Sequence, residues 1–95
     1  MAGELHTHSF SGVTSYNDGH THYFNGITSS NPDVQGHIHY MNGLTSYNDM
    51  HVHDYHISTG PEIETQNGHY HYYRGFTRYA NGHVHFMEGY TSIYR

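Results

Sequence analysis

Twelve of the thirteen histidines in this chain fall into six His-x-His pairs: His6/His8, His20/His22, His37/His39, His51/His53, His69/His71 and His83/His85. Only His56 stands apart. From pair to pair the steps are 14, 17, 14, 18 and 14 residues, a short step alternating with a long one. That divides the chain into three units of about 31 residues, 6–36, 37–68 and 69–95, each with two pairs. A fixed period marks a repeat architecture. At 95 residues the three units make one small domain, 1–95.

Each pair opens the same ten-residue phrase. The copies are HTHSFSGVTS, HTHYFNGITS, HIHYMNGLTS, HVHDYHISTG, HYHYYRGFTR and HVHFMEGYTS. The fourth departs from the pattern, with Ile57 standing where Gly is expected. Tyr-Asn-Asp-Gly (16–19), Tyr-Asn-Asp-Met (47–50) and Tyr-Ala-Asn-Gly (79–82) separate the two phrases of a unit, and such residues suit hairpin turns. Longer connections, 30–36 and 60–68, join the units. Apolar, aromatic and Thr residues alternate with period two, which reads as strand and not helix. The predicted fold is all-β: three tandem hairpins, six up-down strands, around a pseudo-threefold axis.

Successive side chains on a strand point to opposite faces, so both members of a His-x-His pair share one face. Folding the first unit about Asn17 sets His6 opposite Thr28, His8 opposite Gly26, Phe10 opposite Phe24, Gly12 opposite His22 and Thr14 opposite His20. Each imidazole then lies beside a Gly, which leaves room for its ring, or a Thr, whose hydroxyl can hold the second ring nitrogen. Thr14, Thr28, Thr45, Thr59, Thr77 and Thr91 are open to that role or to being plain strand formers. Ile57 would face His39 and distort that site most.

One pair supplies two nitrogens. Three hairpins around an axis bring six together at each end: His6, His8, His37, His39, His69 and His71 at one, His20, His22, His51, His53, His83 and His85 at the other. Two such sites per chain, six rise steps apart, would lie ~20 Å from each other. Imidazole suits a divalent transition metal. Six neutral nitrogens in octahedral geometry favour iron, nickel or cobalt over zinc, whose structural sites are tetrahedral, or copper. The middle layer, Phe10, Phe24, Met41, Tyr55, Tyr73 and Met87, is large enough to overfill a narrow tube. A bulge, a register shift or a flatter sandwich with four-histidine sites would relieve it.

Composition explains why such a chain needs a metal. Small domains with thin cores need a staple, and there is no Cys to form a disulfide. Metal binding confined to the folded state is folding free energy. Lys is absent and Arg74, Arg78 and Arg95 face eight acids, for a net charge of -5, so no basic patch exists for nucleic acid or a membrane surface. Met1 to Phe10 has neither a basic nor a hydrophobic stretch, so cytoplasmic residence is the default expectation, with extracellular or surface assembly left open. His56 falls on the face opposite His51 and His53 and reads as solvent-facing. Asp18, Asp33, Asp49 and Asp54 read as turn or surface acids, with a carboxylate ligand as the alternative. The tyrosines read as outward strand residues. Six copies of one histidine phrase that saturate every site, with no nucleophile–base pattern, argue against an enzyme.

The recurring phrase, as in Gly-His-Thr-His-Tyr-Phe-Asn-Gly-Ile-Thr-Ser (19–29), resembles the YmaF family of small histidine-rich bacterial proteins, over roughly residues 5 to 93. The run His-x-His-Ser-aromatic-Ser-Gly (6–12) is also similar to the receptor-binding tip of bacteriophage long tail fibres. There, His-x-His pairs from three chains enclose iron ions along a needle, which implies six-histidine sites. Here the repeats lie within one chain. Together these readings predict a metal-stapled structural β protein that self-associates as a fibre or oligomer protomer. The alternatives are a soluble metal buffer, chaperone or sensor, and a homotrimeric spike tip with axial metal ions.

Overall fold

The computed structural model describes residues 3–95; Met1 and Ala2, the start of the expected 1–95 domain, lie outside the described residues. The described chain is all-β, with no helix. It contains β1 (Leu5–His6), β2 (Ser9–Val13), β3 (Tyr23–Ile27), β4 (Asn31–Pro32), β5 (Tyr40–Leu44), β6 (Asp54–Thr65), β7 (Gly68–Phe76) and β8 (Phe86–Tyr90). β2 pairs with β3, β5 with β6 and β7 with β8, all antiparallel, and β6 also pairs with β7. β1 and β4 form a short pair of their own. The molecule is elongated, 45 × 20 × 17 Å.

Backbone hydrogen bonds tie the pairs to one another. At one end the Ser15 N–H donates to the Phe86 carbonyl, Ser46 to Tyr23 and Arg78 to Asp54. At the other, Ser29 donates to Tyr40 and Ser92 to Ser9, while β6 and β7 run side by side. The second long connection is therefore not a free loop. Gly60–Thr65 extends β6, with a register irregularity between Thr59 and Glu62, and the chain turns back at Thr65–Gly68.

The register differs by two residues from the one expected. Phe10 lies opposite Gly26 and Gly12 opposite Phe24. Beyond the named strands the backbone continues with Thr14 bonded to His22 and Thr28 to His8. The cause is the turn together with one extra residue beside it, since Asn17 lies three residues after Thr14 while His22 lies two after His20. Asn17 bridges to His20, so the tip is the two-residue turn Asp18–Gly19, with φ of 54° and 86°. Positive φ at both central residues is the turn geometry whose twist matches the strands. The other tips repeat it, at Asp49–Met50 (53°, 67°) and Asn81–Gly82 (51°, 86°).

This register resolves the crowding in the middle layer. Phe10, Phe24, Met41, Tyr55, Tyr73 and Met87 are all buried and form the apolar core. A Cβ added at Gly12 would stand 2.7 Å from Phe24 Cζ, and one at Gly43 2.7 Å from Tyr55 Oη. The repeated glycine therefore makes space for an aromatic ring of the layer at Gly12, Gly26, Gly43 and Gly89, and for the Ile57 side chain at Gly75, not for an imidazole. Ile57 correspondingly faces Met41 and not His39, and packs against the core. His39 itself is fully buried and bonded in the same way as its counterparts.

Candidate metal centre

Two groups of six histidines lie at opposite ends of the core. His6, His8, His37, His39, His69 and His71 form the base group, and His20, His22, His51, His53, His83 and His85 the tip group. In each, one ring nitrogen per residue lies within 4.8 Å of all the others, so each group could hold a metal ion. With His22 level with Thr14, the nearest layers of the two groups, His8 and His22, lie six rise steps apart and the centres of the groups about eight, ~27 Å along the strand.

The second histidine of every pair is held by one repeated device. The Thr of the opposite strand accepts its backbone N–H: Thr28 from His8, Thr14 from His22, Thr59 from His39, Thr45 from His53, Thr91 from His71 and Thr77 from His85, at 2.9–3.0 Å. The ring Nδ1–H then donates to a carbonyl of a neighbouring hairpin. The acceptors are Ser92 for His8, Ser46 for His22, Ser29 for His39, Arg78 for His53, Gly60 for His71 and Ser15 for His85, at 2.8–3.0 Å. Each acceptor is the residue immediately after one of the six threonines. Ser15, Ser29, Ser46 and Ser92 also accept through their hydroxyls the N–H of the residue after the clasped histidine.

The threonines thus bind backbone, and the main role of holding the second ring nitrogen belongs to the next carbonyl. The Thr14-Ser15 type of dipeptide is the functional element that residue types alone did not disclose. Its signal was present as the Thr-Ser ending of the phrase. The first histidines follow a local version: Nδ1 of His6, His20, His51 and His83 donates to the carbonyl two residues earlier, and His37 to Val34, three earlier.

These bonds fix the tautomer. A carbonyl only accepts, so Nδ1 carries the proton and a neutral ring leaves Nε2 as a bare lone pair. Yet the Nε2 atoms converge. His39 and His6 approach to 3.2 Å, His71 and His37 to 3.1 Å, His51 and His53 to 3.0 Å, and His53 and His83 to 3.1 Å. The buried Nε2 of His8 has no hydrogen-bond partner among the described residues. Burial lowers the imidazoles of His8, His39 and His71 from 6.5 to about 4, helped by repulsion from neighbouring imidazolium charge. His22, His53, His69 and His85 are lowered too, again first by burial. Neutral rings are what a metal requires.

His56 lies outside both groups. It is exposed, with Nδ1 3.0 Å from Asn42 Oδ1 and Nε2 3.4 Å from an Asp54 carboxylate oxygen. Asp18 and Asp49 lie at the tip, each carboxylate 3.3 Å from a ring Nδ1, of His83 and His20 respectively. Asp33 lies 3.9 Å from His37 Nδ1.

Neither the curated proteins nor the solved structures contain a match to the chain. A family model described as spore germination protein GerY/YamF matches residues 3–93. With its histidine phrases covered from the first pair to the last, the chain belongs to the YmaF family.

Proposed function

We propose that the chain is a metal-binding structural β protein, stapled at each end by one divalent transition-metal ion held by six histidines. The observation that carries this is the lone-pair convergence: Nε2 atoms of rings that donate through Nδ1 face one another at 3.0–3.3 Å. Such contacts repel unless a cation lies between them. The same separations support an octahedral set, because an octahedron's edge is √2 times its metal–ligand distance, which gives about 2.1–2.3 Å, close to the ~2.0–2.1 Å of zinc–imidazole bonds. Six neutral nitrogens favour iron, nickel or cobalt over zinc or copper.

On this reading the three units, 6–36, 37–68 and 69–95, are one domain whose hairpins surround a pseudo-threefold axis. The cyclic hydrogen bonds from Ser15 to Phe86, Ser46 to Tyr23 and Arg78 to Asp54 support that arrangement. Six protein ligands leave no open position for a substrate, which supports a role without catalysis. Exposed Tyr23, Ile27, Tyr40, Leu44 and Tyr90 on the outer strand faces support self-association. The family description supports a place in spore germination.

The test is elemental analysis of natively purified protein, then strong chelator at pH 7. Two metal ions per chain and loss of β circular dichroism on chelation are expected. Strands that persist with an unchanged thermal midpoint after metal removal would favour a metal carrier, buffer or sensor instead.

A further inference from the structure

The two histidine groups share one bonding plan but differ in cover. At the base all six imidazoles are buried. The ring of Tyr94 stacks on His6, centroids 4.4 Å apart and planes 26° from parallel. Its backbone is bonded both ways to His69, and its hydroxyl donates to the Glu4 carboxylate. Over His37, the Gly36 N–H donates to both Glu62 carboxylate oxygens at 3.0 Å. The base is therefore closed by the chain's last residues and by the first inter-unit connection.

The tip has no such strap. His22, His53 and His85 are fully buried, but His20, His51 and His83, each beside a two-residue turn, are less covered: the side chains of His20 and His83 are 10% exposed, against 3% for His37 at the base. The Asp18 and Asp49 carboxylates are 67% and 62% exposed, and neither pairs with an arginine among the described residues. Each reaches across to the imidazole of another turn. Carboxylates so placed raise the local concentration of cations, and hydrogen bonding to the far ring nitrogen strengthens a ligand.

We infer that the two centres are kinetically distinct: the base is a permanent staple, and the tip is the exchangeable site, where a divalent cation enters past Asp18 and Asp49 and leaves when the outer ligands His20, His51 and His83 release it. This rests on the six-histidine reading above. An outer ligand at the tip can rotate toward solvent and let water or a chelator take its place. At the base the same movement would require Tyr94 and the turn over His37 to lift first.

The experiment uses the full chain loaded with Co(II) to two ions and mixed with excess EDTA at pH 7. Release is expected in two phases of equal amplitude, the faster by roughly tenfold or more. His51→Ala should remove the fast phase and His37→Ala the slow one. Because either variant can fail to fold, the unmodified chain is also followed by NMR during partial chelation. Amide signals of Gly19 and Gly82 should lose their paramagnetic shifts before those of Gly36 and Gly68. The double variant Asp18→Asn with Asp49→Asn should slow loading of the tip at low salt and leave the base unaffected. A single release phase, or recovery of the base signals first, overturns the inference. An unchanged loading rate in the double variant removes the carboxylates from it. A stoichiometry other than two ions per chain refutes the six-histidine reading itself, and this inference with it.

Discussion

The Nε2 atoms of His37 and His71 lie 3.1 Å apart while the Nδ1–H of each ring is donated to a carbonyl, Val34 for His37 at 2.8 Å and Gly60 for His71 at 2.9 Å. Neither nitrogen of the facing pair has a proton to share when the rings are neutral. Protonating one would make a hydrogen bond, but burial opposes the charge at His71, whose imidazole is lowered to about 4. A cation other than a proton answers both demands, since it accepts two lone pairs and keeps both rings neutral.

Acid should unfold the chain. His8, His39 and His71 titrate at about 4 when folded, against 6.5 for the free side chain. Between those values the unfolded chain binds more protons, so stability is present above 6.5 and falls as pH drops toward 4. Bound metal competes with protons for the same nitrogens and makes the loss steeper. Circular dichroism and metal release, followed together in an acid titration, should change in one cooperative step. Metal release with intact strands would contradict the staple.

Removing ligands should act on one end only. His39→Ala with His71→Ala deletes two donors of the base and should lower the metal content from two ions to one. His56→Ala touches neither group and should leave it unchanged. Elemental analysis of the purified variants decides. Equal loss from the His56 variant would show that the faces are misassigned.

Gly12 should tolerate no side chain while Phe24 is present, because its Cβ would stand 2.7 Å from Phe24 Cζ. Overpacking a filled core costs about 1–3 kcal/mol. Gly12→Ala should lower the thermal midpoint, and Phe24→Leu in the same chain should recover part of the loss. A double variant no better than the sum of its singles would mean that the ring is not the obstacle.

Met50 holds φ at 67°, where the first and third turns have Gly19 and Gly82. A non-glycine residue in the left-handed region costs roughly 1–2 kcal/mol. Met50→Gly should therefore raise the thermal midpoint, with metal content unchanged. A lower midpoint would show that the exposed Met50 side chain makes a contact that outweighs the strain.

Much of this molecule was legible in residue spacing, for a plain reason. On a strand, period two decides which side chains share a face, so His6 and His8 had to point together. The recurrence of the pair at steps of 14, 17, 14, 18 and 14 residues specified two groups of six. The exposed position of His56 followed from the same parity. Register was not legible, because it depends on how many residues the turn consumes. The Asp18–Gly19 turn, together with the one-residue irregularity between Asn17–His20 and Thr14–His22, moves the facing strand by two positions relative to a pivot at Asn17, and an even shift keeps the histidines inward. Only the folded chain sets Gly12 under Phe24 and Ile57 against Met41. The clasp from each buried imidazole to the carbonyl after a threonine was hidden for a related reason. It joins elements far apart in sequence, such as His8 and Ser92, and a carbonyl has no residue type to mark it. The unequal cover of the two ends is also tertiary: the phrases at base and tip are nearly the same, and what distinguishes them is where Tyr94 and the turn over His37 come to rest.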